Sequence, residues 1–119
     1  DFTYIDDIVD GIVSVLDNPA TMDLSWNPSK PLASSSSAPF KLYNIGNSQP
    51  VNLMEFISIL EEILEKKIKK KFLPIQPGDV KKTFANVDTL IDDLNYKPKN
   101  SVREGILKFV SWYRSYYGK

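Results

Sequence analysis

Residues 72–80 read Phe-Leu-Pro-Ile-Gln-Pro-Gly-Asp-Val, a composition that excludes a helix or an interior strand from this part of the chain. Proline fixes φ at about −65° and glycine permits positive φ, so Pro77-Gly78 predicts a tight turn. The polar residues Gln76 and Asp79 flank this pair. The turn could direct both side chains toward a ligand, because a carboxylate accepts hydroxyl donors and an amide donates and accepts. The alternative is an Asx-type turn in which Asp79 bonds to its own backbone, and spacing alone favours that alternative.

Four stretches around this segment have the apolar spacing of amphipathic helices. The first and last of them cover residues 6–16 and 102–116, and the third covers residues 87–94. The second follows Asn52 and is predicted to contain about 14 residues. The wide apolar stripe of the first helix predicts that it is well buried. The predicted N-caps are Asp6, Asn52, Asn86 and Ser101, with Glu55 and Glu104 completing capping boxes.

Three short stretches, residues 2–5, 40–46 and 66–72, have the composition of strands, and the last is predicted to be an edge strand because it is rich in lysine. The expected class is therefore α/β, with helices and a few short strands. Residues 20–39 show no period and include the serine run 34–37, so we expect a mobile loop there.

Composition excludes several kinds of chemistry. The chain has no cysteine and no histidine, which removes disulfides, the usual zinc sites and His-assisted nucleophiles. Its 15 basic and 15 acidic residues cancel, so we expect neither a nucleic acid nor an anionic membrane as a partner. A cytoplasmic location agrees with the lack of cysteine. The chain begins within a predicted strand, without Met or a basic-apolar leader, so we expect a fragment of a longer protein.

No catalytic, cofactor-binding or metal-binding residue is predicted. No G-x-G-x-x-G loop, Walker loop or Tyr-x-x-x-Lys pair occurs in the sequence. Adjacent acids stand at residues 6–7, 61–62 and 92–93. Neighbouring helical positions diverge by about 100°, so these pairs are predicted to be caps or solvated surface rather than a site.

Four motifs in order carry a resemblance: Asp-Phe-Thr-Tyr-Ile-Asp-Asp-Ile at 1–8, Tyr-Asn-Ile-Gly-Asn at 43–47, Pro-Ile-Gln-Pro-Gly-Asp-Val at 74–80 and Trp-Tyr at 112–113. Together they resemble the C-terminal part of the extended short-chain dehydrogenases/reductases. The Gln-Pro-Gly-Asp-Val form is most similar to the UDP-glucuronate epimerases. In that family residues 20–39 correspond to a variable stretch, and an Arg that contacts the diphosphate usually precedes the position of Asp1.

The resemblance implies that residues 1–119 are the substrate-binding portion of a Rossmann-type fold whose N-terminal NAD-binding domain lies outside this sequence. It implies that Gln76 and Asp79 bind a UDP-sugar, and that the whole enzyme interconverts UDP-glucuronate and UDP-galacturonate while this portion alone is inactive. A sugar dehydratase and a UDP-glucose epimerase are close alternatives, and a binding module without catalytic ancestry is a more distant one. We further expect self-association to a homo-oligomer, because apolar surface that the other domain would cover is left open.

Overall fold

A computed structural model describes residues 1–118, and its elements in chain order are four helices: α1 (Ile5–Asp17), α2 (Leu53–Leu64), α3 (Asp88–Leu94) and α4 (Val102–Tyr117). These are the four predicted helices, with ends displaced by two residues or fewer. α2 packs against α4, and the exposed ion pair between Glu62 and Arg103 joins the two.

The helix starts follow their local signals in two cases of four. Asn52 accepts a hydrogen bond from the backbone N–H of Met54 at 2.8 Å, and Ser101 with Glu104 forms a complete capping box. The prediction for Asp6 is wrong, because α1 is capped at Tyr4 and Asp6 lies in the first turn. Asn86 accepts from the N–H of Asp88 but stands one residue before the cap position.

The predicted strands at residues 2–5, 40–46 and 66–72 are not found. Over residues 1–118 the only β-pairing is an isolated antiparallel bridge between Ser35 and Lys41, so the α/β class is not realised within this chain. The physical reason is that a strand needs a neighbour to complete its ladder. A carboxylate takes one of the backbone donors instead, since Glu61 accepts from the N–H of Ile68.

The predicted loop at residues 20–39 contains local hydrogen bonds centred on Asp23. Its carboxylate accepts from the Ser25 hydroxyl at 2.6 Å and from the Ser35 hydroxyl at 2.9 Å. The hydrogen bond from Ser25, followed by the one from Ser35, lowers the pKa of Asp23. The mobility of this loop stays a prediction.

The buried apolar core is small, and its members lie on α3, on α4 and directly beside α3 in the chain. Its members are Val87, Leu90, Tyr96, Ile106 and Val110. α1 contributes little to it, which contradicts the prediction of a well-buried first helix. Val9, Ile12 and Val13 are each 48% exposed and Leu16 is 72% exposed, because no other part of residues 1–118 covers this side of α1.

The described helices include none with both the length and the apolar character that crossing a bilayer requires.

Candidate functional site: the Gln76–Asp79 turn and its anchors

The segment at Pro77-Gly78 forms the predicted turn. The backbone N–H of Asp79 donates to the carbonyl of Gln76 at 3.1 Å, and Gly78 has a φ of +92°. Proline at the second position and positive φ at the third are the features of a type II turn. Space for a side chain at Gly78 is open, so its backbone conformation is what requires glycine.

Gln76 and Asp79 are both exposed on this turn. Within residues 1–118, the Asp79 carboxylate makes no hydrogen bond to its own backbone, so the Asx-turn alternative is not found there. Gln76 and Asp79 stand at the first and last positions of the turn, and both are exposed to solvent.

The N-terminal side of this segment is held by Glu61, which sequence reasoning had assigned to solvated surface. Glu61 is only 7% exposed, and its carboxylate accepts from the backbone N–H of Ile68 at 2.8 Å and from the ammonium groups of Lys70 and Lys67. The hydrogen bond from Lys70, with the one from Ile68, lowers the pKa of Glu61 to about 2. The chain reaches these contacts because Glu65, in the left-handed conformation, ends α2 and turns the chain back.

The C-terminal side is held by Asp1. One oxygen of its carboxylate accepts from the backbone N–H of Asn47 at 3.1 Å. The other accepts from the N–H groups of Ser48 at 3.1 Å and Ala85 at 3.0 Å. The Ser48 hydroxyl also donates to the carbonyl of Ala85 at 2.7 Å, so one carboxylate and one hydroxyl join three segments that are distant in sequence.

The close approach of these segments explains why residue 46 is a glycine. A Cβ at this position would stand 2.5 Å from the Cβ of Ala85, a distance that side chains do not reach without a shift of the backbone. Nearby, the Asn44 amide donates to the carbonyl of Asn86 at 3.2 Å, which gives Asn44 a structural role.

Asp7 is a second acid whose predicted surface position is wrong. It is 2% exposed, and its carboxylate accepts from the N–H groups of Lys99 at 3.0 Å and Asn100 at 3.1 Å, and from the Asn100 amide at 3.0 Å. The Tyr96 hydroxyl donates to the carbonyl of Asp7. Asp7 therefore fastens α1 to the segment that leads into α4 and is structural.

Asp93, on α3, is exposed as predicted for the acidic pairs, and it has two partners there. Its carboxylate pairs with Lys41 and accepts from the Tyr43 hydroxyl at 2.8 Å. The hydrogen bond from Lys41, followed by the one from Tyr43, lowers the pKa of Asp93. Burial, together with the hydrogen bond to Asp93, raises the pKa of Tyr43 to about 12.

An apolar cavity of about 250 Å³ lies between α2 and α4. Phe2, Phe56, Leu60, Ile106 and Phe109 form much of its wall. Ligand sites usually measure about 300–1,000 Å³ and carry a few well-placed polar groups. This cavity has no charged residue in its wall, so it does not suit a charged sugar nucleotide. Residues 1–118 also contain no group of three or more residues arranged to hold a metal ion.

Comparison with known proteins gives relatives over the whole chain. No family model matches it. It is 47% identical over 119 residues to the protein CapI of Staphylococcus aureus, of which it covers 36%. It is 41% identical over 118 residues to UDP-glucuronate 4-epimerase 5 of Arabidopsis thaliana, of which it covers 26%.

A solved structure agrees with these relatives. The match is to a Tyr-to-Phe mutant of UDP-glucuronic acid 4-epimerase from Bacillus cereus in complex with UDP-4-deoxy-4-fluoro-glucuronic acid and NAD. The TM-score is 0.74 at 28% identity, over 98% of this chain and 32% of that one. The chain thus spans about a third or less of the length of the proteins it matches.

The structural match defines the class, because the chain has the fold of one part of a sugar-nucleotide epimerase. The sequence relatives point to one kind of epimerase. The chain is similar over nearly its whole length to UDP-glucuronate 4-epimerases, which confirms the resemblance read from its motifs.

Proposed function

We propose that this chain is the C-terminal, UDP-sugar-binding part of an NAD-dependent UDP-glucuronate 4-epimerase. The parent protein would interconvert UDP-glucuronate and UDP-galacturonate. The observation that carries this proposal is similarity over nearly the entire chain, in sequence and in fold, to proteins named for that reaction.

Gln76 and Asp79 are the residues that we assign to the nucleotide moiety of the substrate. Support comes from the type II turn, which leaves both side chains exposed at its two ends. The Asp79 carboxylate can accept hydrogen bonds from two hydroxyl groups at once, as a ribose offers them. The Gln76 amide can donate to a phosphate oxygen or bond a hydroxyl.

The residues of this chain do not fit NAD. Its five glycines stand at positions 11, 46, 78, 105 and 118, and none are spaced as a phosphate-binding loop. No tyrosine is followed four residues later by lysine. We therefore assign the cofactor and hydride transfer to a Rossmann domain that precedes this chain in the parent protein, and we expect residues 1–119 alone to be inactive.

The finer fold follows from the same assignment. In the parent protein, residues 2–5 and 40–46 would gain neighbouring strands and join the Rossmann sheet, which gives the α/β class expected from the sequence. The uncovered side of α1 supports a further proposal that the chain associates with itself when isolated. A cytoplasmic location is proposed on the same family grounds.

The first test is Asp79→Ala in the intact polypeptide that carries this chain. We expect the KM for UDP-glucuronate to rise about tenfold or more, since a hydrogen bond to a charged group is lost. Asp92→Ala is a matched control, because Asp92 is also an exposed aspartate but lies on α3. Unchanged kinetics in Asp79→Ala, or no 4-epimerase activity in the unaltered protein, would contradict the proposal.

A further inference from the structure

The segment between Lys70 and Thr83 has few contacts that could hold it in place. Among the described residues, the hydrogen bond of the turn, from Asp79 to Gln76, is the one such bond within it. Its apolar side chains do not anchor it either. Phe72 is 77% exposed, Leu73 is 70% exposed and Val80 is 71% exposed.

Each end of this segment is instead held by a carboxylate that lies outside it. Glu61, on α2, holds the backbone of Ile68 and the side chain of Lys70. Asp1 holds the backbone of Ala85 together with that of Ser48. We infer that Glu61 and Asp1 are positioning residues that fix the two ends of the loop carrying Gln76 and Asp79, and thereby set the affinity for the nucleotide sugar. This inference rests on the function proposed above.

The Glu61 anchor has the geometry that positioning requires. Its side chain is 7% exposed on a helix, so it offers a fixed point and not a mobile surface charge. It accepts a backbone hydrogen bond, which fixes the path of the chain whatever the side chain at residue 68. A charge-assisted bond from Lys70 at 2.5 Å adds a second restraint two residues further along.

The Asp1 carboxylate acts on the other end through backbone N–H groups. Its three N–H donors come from residues 47, 48 and 85, so its carboxylate fixes the distance between two separate segments. Asparagine at this position would place an N–H₂ group against N–H donors, and at least one of these bonds would be lost. The bond from the Ser48 hydroxyl to the carbonyl of Ala85 reinforces the same junction.

A change that weakens the anchor at either end of the loop lowers the affinity for the nucleotide sugar, although the altered residue does not contact the ligand. A loop that is already ordered binds with a smaller entropic cost than one that must be ordered on binding. Under the proposed function, hydride transfer takes place in the preceding domain of the parent protein, so the turnover number should change little.

The experiment uses the intact polypeptide, with UDP-glucuronate as the probe, and compares Glu61→Gln and Asp1→Asn with Glu62→Gln. Glu62 is the matched control because it is the next residue on α2 and also pairs with a cation, but Arg103 lies on α4 and not in the loop. We expect KM and the calorimetric Kd to rise about three- to tenfold in both anchor variants. We expect kcat to stay within about twofold, because chemistry in the bound state is unaffected.

Milder variants keep the test decisive if either anchor variant fails to fold. Lys70→Met removes one bond to Glu61, and Ser48→Ala removes one bond to Ala85. Both should raise Kd in the same direction while their circular dichroism spectra match that of the parent. Folded anchor or milder variants that bind as tightly as the parent would overturn the inference, as would an equal loss of affinity in Glu62→Gln.

Asp79→Ala belongs in the same series because it separates this inference from the proposed function. If Asp79→Ala weakens binding and the anchor variants do not, only the positioning role is refuted. If Asp79→Ala binds normally, the assignment of the turn to the substrate is itself refuted.

Discussion

Glu61 shows how one buried carboxylate can make local structure depend on pH. Its pKa is lowered to about 2 from an ordinary value of 4.5, first by the hydrogen bond from Lys70. A lowered pKa in the folded state means that the ionised form is favoured by folding. The resulting stability is fully present above about pH 4.5 and is lost as the pH falls through about 2.

We therefore expect Glu61→Gln to reduce the free energy of unfolding at pH 6 and to have a progressively smaller effect as the pH falls from 4.5 toward 2. Urea denaturation at a series of pH values measures this difference directly. Glu62→Gln should show a much weaker pH dependence, because this residue is largely exposed and screened by solvent. A Glu61→Gln effect of constant size across this range would contradict the assignment.

Asp7 and Asp1 also mark the limit of what could be predicted from the sequence at the scale of residues. Their partners lie far along the chain: Asp7 bonds to residues 99 and 100, and Asp1 to residues 47, 48 and 85. Local spacing contains no signal for such pairings, so a surface position was the natural expectation for adjacent acids. The turn at Pro77-Gly78 was predictable because its geometry is fixed by the two residues themselves.

At the scale of elements, helices and strands differ in the same way. A helix closes its hydrogen bonds within itself, so apolar spacing was enough to locate α1 to α4. A strand closes its hydrogen bonds with a neighbour, so residues 40–46 could have a suitable composition and still form no ladder. The burial of α1 was mispredicted for the related reason that an apolar stripe indicates which side is to be covered but not what covers it.

The capping box of α4 gives a prediction at this scale. Ser101→Ala removes the hydroxyl that accepts from the backbone N–H of Glu104 at 3.2 Å. We expect a loss of about 1 kcal/mol in the free energy of unfolding, as is typical for an N-cap serine. Denaturant titration of Ser101→Ala and Ser111→Ala makes the comparison, because Ser111 lies within the same helix and replacing it should stabilise slightly. An equal effect of both changes would argue against a specific cap.

At the scale of the whole molecule, the chain is less compact than an independent domain of its length. Its radius of gyration is 18.7 Å, with extents of 56 × 35 × 21 Å. A self-contained domain of this size would have a radius of gyration of about 13.5 Å. The elongated shape and the uncovered side of α1 agree with a chain that normally packs against further structure.

We accordingly expect residues 1–119 to self-associate when produced alone, because the exposed residues of α1 form an apolar stripe. Sedimentation velocity over a concentration series should show species larger than a monomer. Ile12→Glu with Leu16→Glu should shift the distribution toward monomer, whereas Asp10→Asn, a change away from these apolar side chains, should not. A single monomeric species at every concentration would refute the expectation.

The bare stripe of α1 also bears on the order of events during translation. If the chain is the C-terminal part of its parent, the ribosome releases it last, when the preceding domain has had time to fold. The apolar stripe of α1 then leaves the ribosome next to a domain that is already folded, so it is exposed to water only briefly. When the chain is synthesised without that domain, the stripe stays exposed to water throughout the lifetime of the chain. The chain is then a natural substrate for chaperones and proteases.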